Sequence, residues 1–247
     1  MKLQSRHHGV ILIALLIASV IACKSSGSST SSTTNKTEAP RNTNSSTSAP
    51  AAPPDIAGKY NVVGSNPGGG TYKGTLEIIP HGDVYQFRWN AGTQYDGVGV
   101  ANGSVVAVAF ANGPNGKGCG VVDYEIGSDG ALDGKWGYWG TDEAGTEKAI
   151  RTSGSSLAGD YDATGKNPDG KEYKAKLTVE PAGNLYRFVW SNNTDGMGIK
   201  QGSNVAVGIG GARCGFVAYE IKPDGTLDGI WGGYGSDKTG TEKATKQ

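Results

Sequence analysis

From Ile56 onward the chain alternates apolar and polar side chains over short runs, and no run of helical period interrupts them. The clearest runs are Tyr72-Lys73-Gly74-Thr75-Leu76-Glu77-Ile78, Tyr85-Gln86-Phe87-Arg88-Trp89 and Leu132-Asp133-Gly134-Lys135-Trp136. A period of two sends successive side chains to opposite faces of a sheet, so each run predicts a half-buried strand. Turn chemistry separates the runs. Asn66-Pro67-Gly68-Gly69 suits a type I turn, and Asp129-Gly130 marks a tight hairpin.

The whole pattern occurs twice. Gly58-Lys59-Tyr60, Asn66-Pro67, Tyr72-Lys73, Tyr85 to Trp89, Cys119-Gly120, Tyr124-Glu125-Ile126 and Gly145-Thr146-Glu147-Lys148-Ala149 form the first copy. They return in order as Gly159-Asp160-Tyr161, Asn167-Pro168, Tyr173-Lys174, Tyr186 to Trp190, Cys214-Gly215, Tyr219-Glu220-Ile221 and Gly240-Thr241-Glu242-Lys243-Ala244. A repeat this long is a repeated domain. About eight short strands per copy, joined by short turns, point to an all-β fold of two tandem antiparallel up-and-down barrels. The expected boundaries are 56–151 and 157–247, with Thr152 to Ser156 as the linker.

Positions kept between the copies mark the inward face, because packing leaves them little choice. Tyr85, Phe87, Trp89 and Trp136 in the first copy, and Tyr186, Phe188, Trp190 and Trp231 in the second, are therefore the candidate core. An eight-stranded barrel is just wide enough to be filled by side chains or to hold one small ligand. These rings predict a filled one, and strand glycines such as Gly74, Gly97, Gly99, Gly134 and Gly137 let strands coil around them.

The N-terminal stretch has a different character. Lys2, Arg6, His7 and His8 precede an apolar run from Val10 to Ala22 that is too short to span a membrane and reads as an export signal, residues 1–22. Val20-Ile21-Ala22-Cys23 resembles the bacterial lipobox, which implies cleavage before Cys23 and lipid on its sulfur. The expected location is outside the cytoplasm, anchored at the outer membrane through Cys23. Residues 23–55 are rich in Ser, Thr, Asn, Ala and Pro and lack aromatic residues, so they are expected to form a disordered tether.

Charge and chemistry narrow the function. Lys plus Arg and Asp plus Glu each number 23, and no basic stripe argues for nucleic acid. Past the signal, His81 is the one histidine, in a Pro-His-Gly turn, and reads as a surface residue. Neither a zinc set nor a Ser/His/Asp arrangement is present, so no cofactor, metal or catalytic residue is expected. Glu125 and Glu220 are identical between the copies on the outward parity and suggest cross-strand ion pairs with Lys148 and Lys243. Asp96 and Asp195, each before Gly-x-Gly, read as turn or bulge residues. Cys119 and Cys214 hold equivalent places and leave two readings open. They are buried thiols, one per domain, or a bridge between domains related by a pseudo-two-fold axis.

The motifs Gly-x-Tyr, Asn-Pro-x-Gly, Tyr-x-Phe-x-Trp, Cys-Gly, Asp-Gly-x-Leu-x-Gly-x-Trp and Gly-Thr-Glu, present in both copies, resemble those of small exported bacterial proteins, some catalogued as fibronectin-binding. At the level of architecture, Gly58-Lys59-Tyr60 and the Gly-x-Trp strand look like the lipocalin and avidin barrels, with Tyr60 where those barrels have Trp. The resemblance implies a non-enzymatic binding module meeting a host or envelope protein, such as fibronectin. Candidate contacts are Trp139, Tyr234, and Asn115 and Lys117 in the loop from Asn112 to Gly118. The alternatives are a carrier of a small hydrophobic ligand and an envelope structural or inhibitor protein. A lumen open at the Trp89 and Trp136 layer would favour the carrier.

Overall fold

A computed structural model describes residues 55–247; the export signal, Cys23 and the tether up to Pro54 lie outside the described residues. The strands are β1 (Gly58–Ser65), β2 (Thr71–His81), β3 (Val84–Asn90), β4 (Gln94–Asn102), β5 (Val105–Asn112), β6 (Gly120–Ile126), β7 (Leu132–Tyr138) and β8 (Gly145–Arg151). The second copy supplies β9 (Gly159–Lys166), β10 (Glu172–Ala182), β11 (Leu185–Trp190), β12 (Thr194–Gln201), β13 (Asn204–Ile209), β14 (Gly215–Ile221), β15 (Leu227–Gly233) and β16 (Gly240–Lys246). All pairings are antiparallel, and the sixteen strands close into two barrels of eight.

The barrels do not coincide with the copies. Strands β6 to β13 run in sequence order around the second barrel, which closes by pairing β13 with β6. The first barrel is built from the two ends of this region, β1 to β5 and β14 to β16, closed by β5 with β14 and β1 with β16. The second barrel is thus inserted into the first, and the expected boundaries at 151 and 157 fall inside it. Thr152 to Ser156 is no interdomain linker. It belongs to the turn joining the paired strands β8 and β9, held by Thr152 N–H to Asp160 C=O at 2.8 Å. The physical reason is local equivalence. Strand β6 (Gly-Val-Val-Asp-Tyr-Glu-Ile) and β14 (Gly-Phe-Val-Ala-Tyr-Glu-Ile) present nearly the same edge, so β14 can take the place beside β5 that β6 would fill in a self-contained copy, while a short β8–β9 turn favours a hairpin.

Inside each barrel, Tyr, Phe and Trp form the core. Phe87 and Trp89 are buried with Tyr60 and Tyr219 in the first barrel, and Phe188 and Trp190 with Tyr161 and Tyr124 in the second. Tyr85, Tyr186, Trp136 and Trp231 pack against these clusters from partly buried positions. The rings need glycine opposite them: a Cβ on Gly99 would stand 2.5 Å from the Phe87 ring, and one on Gly134 2.5 Å from Tyr124. Where β1 and β9 begin, the barrels are sealed by Ile56 and Leu157. Their backbone carbonyls accept hydrogen bonds at 2.8 Å from the buried hydroxyls of Tyr60 and Tyr161.

The two barrels pack through a third apolar cluster that includes Val98, Val100, Ala107, Phe216, Met197 and Ile199. Contacts recur about a pseudo-two-fold axis. The hairpin turn at Gly82 abuts Asp142 in the β7–β8 loop, and the equivalent Gly183 abuts Asp237. The chain leaves the first barrel just before β6 and returns just before β14, and at those crossings Cys119 and Cys214 are bridged, with Cα atoms 5.8 Å apart. Both are buried. Of the two readings left open by the sequence, the structure has the bridge, although the covalent link spans the crossings of one inserted domain and not two separately folded copies.

Asp123 lies in β6 on the side away from the second barrel's core, fully buried, with Asn204 Nδ2 3.3 Å from both its carboxylate oxygens. Burial raises its pKa from 3.8 to about 7, against the lowering effect of Asn204 and with a smaller contribution from Glu125. The folded protein therefore keeps a proton that the unfolded chain has lost between about pH 4 and pH 7, so stability falls as pH rises through that window. Asp123→Asn is expected to flatten this dependence in chemical denaturation and to gain on the order of a few kcal/mol above pH 7. Replacing both Cys119 and Cys214 with serine removes a link across 95 residues of chain, with an expected loss of about 4 kcal/mol. Denaturation with and without reductant, and a linked peptide in a non-reduced digest, check this.

Candidate functional site

Each barrel hides a carboxylate. Glu242, on the inward parity of β16 with Gly240 and Ala244, is 6% exposed, and Glu147 holds the same place in β8 at 4%. Glu242 Oε1 accepts from Trp89 Nε1 at 2.9 Å and from the Tyr219 hydroxyl, while Oε2 accepts from the Tyr72 hydroxyl at 2.8 Å. Around Glu147 the arrangement is repeated by Trp190 Nε1 at 3.0 Å, the Tyr124 hydroxyl, and the Tyr173 hydroxyl at 2.9 Å. Both clusters draw on both copies: Glu242 and Tyr219 meet Tyr72 and Trp89, and Glu147 and Tyr124 meet Tyr173 and Trp190.

Burial, and then the neighbouring glutamate, pushes all four tyrosine hydroxyls above the usual tyrosine range. They remain donors, and three donors converging on a carboxylate hold its charge in place inside an otherwise apolar barrel.

Beside each glutamate the barrel opens. In the first barrel a cavity of about 200 Å³ is lined by Glu242, Tyr72, Trp89, Tyr95, Phe110 and Trp231, with Asn66 and Ala91 at its rim. It lies at the end where β1 finishes, opposite the end sealed by Ile56. The rings thus fill the sealed end and the middle but leave the other mouth open, which corrects the expectation of a filled barrel. The second barrel has the corresponding cavity, about 300 Å³, bounded by Glu147, Trp136, Tyr138, Tyr173, Trp190 and Asn192. No Lys, Arg or His lines either.

The other sequence candidates lie elsewhere. Trp139 and Tyr234 are partly buried against the apolar cluster between the barrels, and the Tyr234 hydroxyl donates to Asp195 Oδ2 at 2.6 Å across it. The Trp139 ring covers Gly116, while Asn115 and Lys117 in the same loop are exposed and joined by Lys117 N–H to Asn115 Oδ1 at 2.8 Å. Asp96 and Asp195 lie near the starts of β4 and β12 in regularly paired strand, not in a turn or bulge. Asp96 is buried with Oδ1 unpartnered, and burial raises its pKa against the lowering effect of Arg88. His81 sits at the surface with Nδ1 2.8 Å from Asp142 of the other barrel. Glu220 pairs with Lys222 at 2.7 Å, not Lys243, because Lys243 faces Asp228 across the β15–β16 register; likewise Lys148 faces Asp133, and Glu125 faces Asp133 and Asn204. No set of three His, Cys, Asp or Glu residues suited to a metal occurs among the described residues.

Glu147 and Glu242 were missed in the sequence, yet a signal was present. Gly-Thr-Glu-Lys-Ala is identical in the two copies, and its Glu falls on the inward parity, where an invariant charge demands partners. Comparison with known proteins adds no relative: no protein-family model, no curated sequence and no solved structure matches the chain.

Glu147→Ala is expected to destabilise the protein by about 3–5 kcal/mol in urea denaturation, because it strands the buried Tyr124 hydroxyl and Trp190 N–H. Glu147→Gln keeps an acceptor and is expected to cost less than half as much.

Proposed function

We propose that the protein is a non-enzymatic, small-molecule-binding protein whose two barrels each take a ligand through the open mouth, held outside the cytoplasm by lipid on Cys23. The observation that carries this is the cavity beside Glu242, walled by aromatic side chains and anchored by a buried, fully partnered carboxylate. Sites for small ligands have this make-up, largely apolar with a few fixed polar groups. A cavity of about 150 Å³ is known to hold benzene, so one of about 200 Å³ accommodates a single ring or a branched group of similar size. The lipid anchor rests on Val20-Ile21-Ala22-Cys23.

A protein partner such as fibronectin, which the motif resemblance suggests, would meet a reduced surface. Trp139 and Tyr234 are shared between the barrels, leaving exposed Asn115 and Lys117.

Ligand-observed NMR of the intact protein with a library of neutral and charged compounds of five to ten heavy atoms is expected to find binders. Binding should fall when both mouths are plugged by Ala91→Trp and Asn192→Trp in a protein that still melts cooperatively. A library without binders to the unaltered protein, or binders indifferent to the plugs, would overturn the reading.

A further inference from the structure

Resting on the reading of the cavities as binding sites, we propose that the first barrel takes a small organic cation that carries no N–H donors, with a head the size of trimethylammonium. The charge in the cavity is negative and unopposed: Glu242 lines it and no basic side chain does. An anion would face that carboxylate without a counter-charge. A neutral hydrophobe would strip water from near the carboxylate and return nothing to it. A cation restores the balance.

The hydrogen-bond inventory decides which kind of cation. A metal ion or a primary ammonium replaces its water shell with several acceptors. Glu242 already accepts from Trp89, Tyr219 and Tyr72, which leaves little acceptor capacity in a wall made mostly of rings. A quaternary ammonium asks for no acceptor. It is weakly hydrated, and its charge is met by the electron-rich faces of aromatic rings.

The walls have the geometry for that. Neighbouring rings are steeply inclined, as needed to surround a compact group: Tyr95 to Phe110 at 89°, Tyr72 to Trp231 at 70°, Phe110 to Trp231 at 69° and Trp89 to Phe110 at 55°. Centroid separations run from 5.6 to 6.4 Å. In the second barrel, Thr194 and Ile209 stand where the first has Tyr95 and Phe110, and Tyr138, where the first has Gly233, returns only one of the two rings lost. The two mouths are therefore unequal, with the cation preference strongest in the first.

Calorimetric titration of the intact protein with choline, its neutral carbon isostere 3,3-dimethyl-1-butanol, and ethanolamine tests this. Choline is expected to bind at least about tenfold tighter than the isostere and tighter than ethanolamine. Phe110→Ile, which installs the residue of the second barrel, should weaken choline several-fold and the isostere less. Glu242→Gln should lower the choline-to-isostere ratio several-fold, leaving the part owed to the ring faces; if that variant does not fold, the comparison on the unaltered protein decides. Equal or tighter binding of the isostere overturns the cation preference and leaves the cavity as a binding site. No binding by any of the three compounds overturns the cation preference, and only failure of the broader library overturns the site itself.

Discussion

Inside each barrel one carboxylate is held by two tyrosine hydroxyls and a tryptophan N–H, and the surrounding arrangement follows from meeting that need. A buried carboxylate is tolerable only when its lone pairs are engaged. The donors come from strands of the β2, β3 and β6 type and the acceptor from a strand of the β8 type, so a barrel must bring all four together. Nothing in this requirement says that one copy must supply them all. In the chain as folded, Glu147 finds Tyr173 and Trp190 from the other copy.

That freedom explains how a tandem repeat becomes one barrel inserted into another. Strands β5 and β14, which pair to close the first barrel, are separated by the 102 residues from 113 to 214. The Cys119–Cys214 bridge ties the two crossings, so excursion and return are covalently paired. The apolar face between barrels, with Cys119, Phe216 and Met197, joins them without a linker. Within this interface Asp123 departs from the repeat, since its counterpart is Ala218.

The carboxylate also shapes the mouths. Glu242 fixes the orientation of Tyr72 and Trp89, which line the mouth together with Phe110 and Trp231. The repeat preserved the polar cluster in both barrels but let the rest of the wall drift. Tyr95 and Phe110 became Thr194 and Ile209, and Gly233 stands where the second barrel has Tyr138. One anchor is kept while the walls diverge, so the two cavities differ in shape and lining.

The alternation of side chains determined the strands, their number and the inward rings, because a period of two and turn residues are local properties. Phe87, Trp89, Phe188 and Trp190 could be placed in the core from parity alone. Parity also held the clue to Glu147 and Glu242, but their partners lie on strands distant in sequence, so the hydrogen bonds were not legible. Only the tertiary structure decided which copy's strand closes which barrel, because β6 and β14 offer nearly the same edge to β5. It alone also decided that Cys119 meets Cys214 and that the rings stop short of one mouth. Those outcomes depend on chain crossings and on the packing of side chains from both copies, which no window of sequence contains.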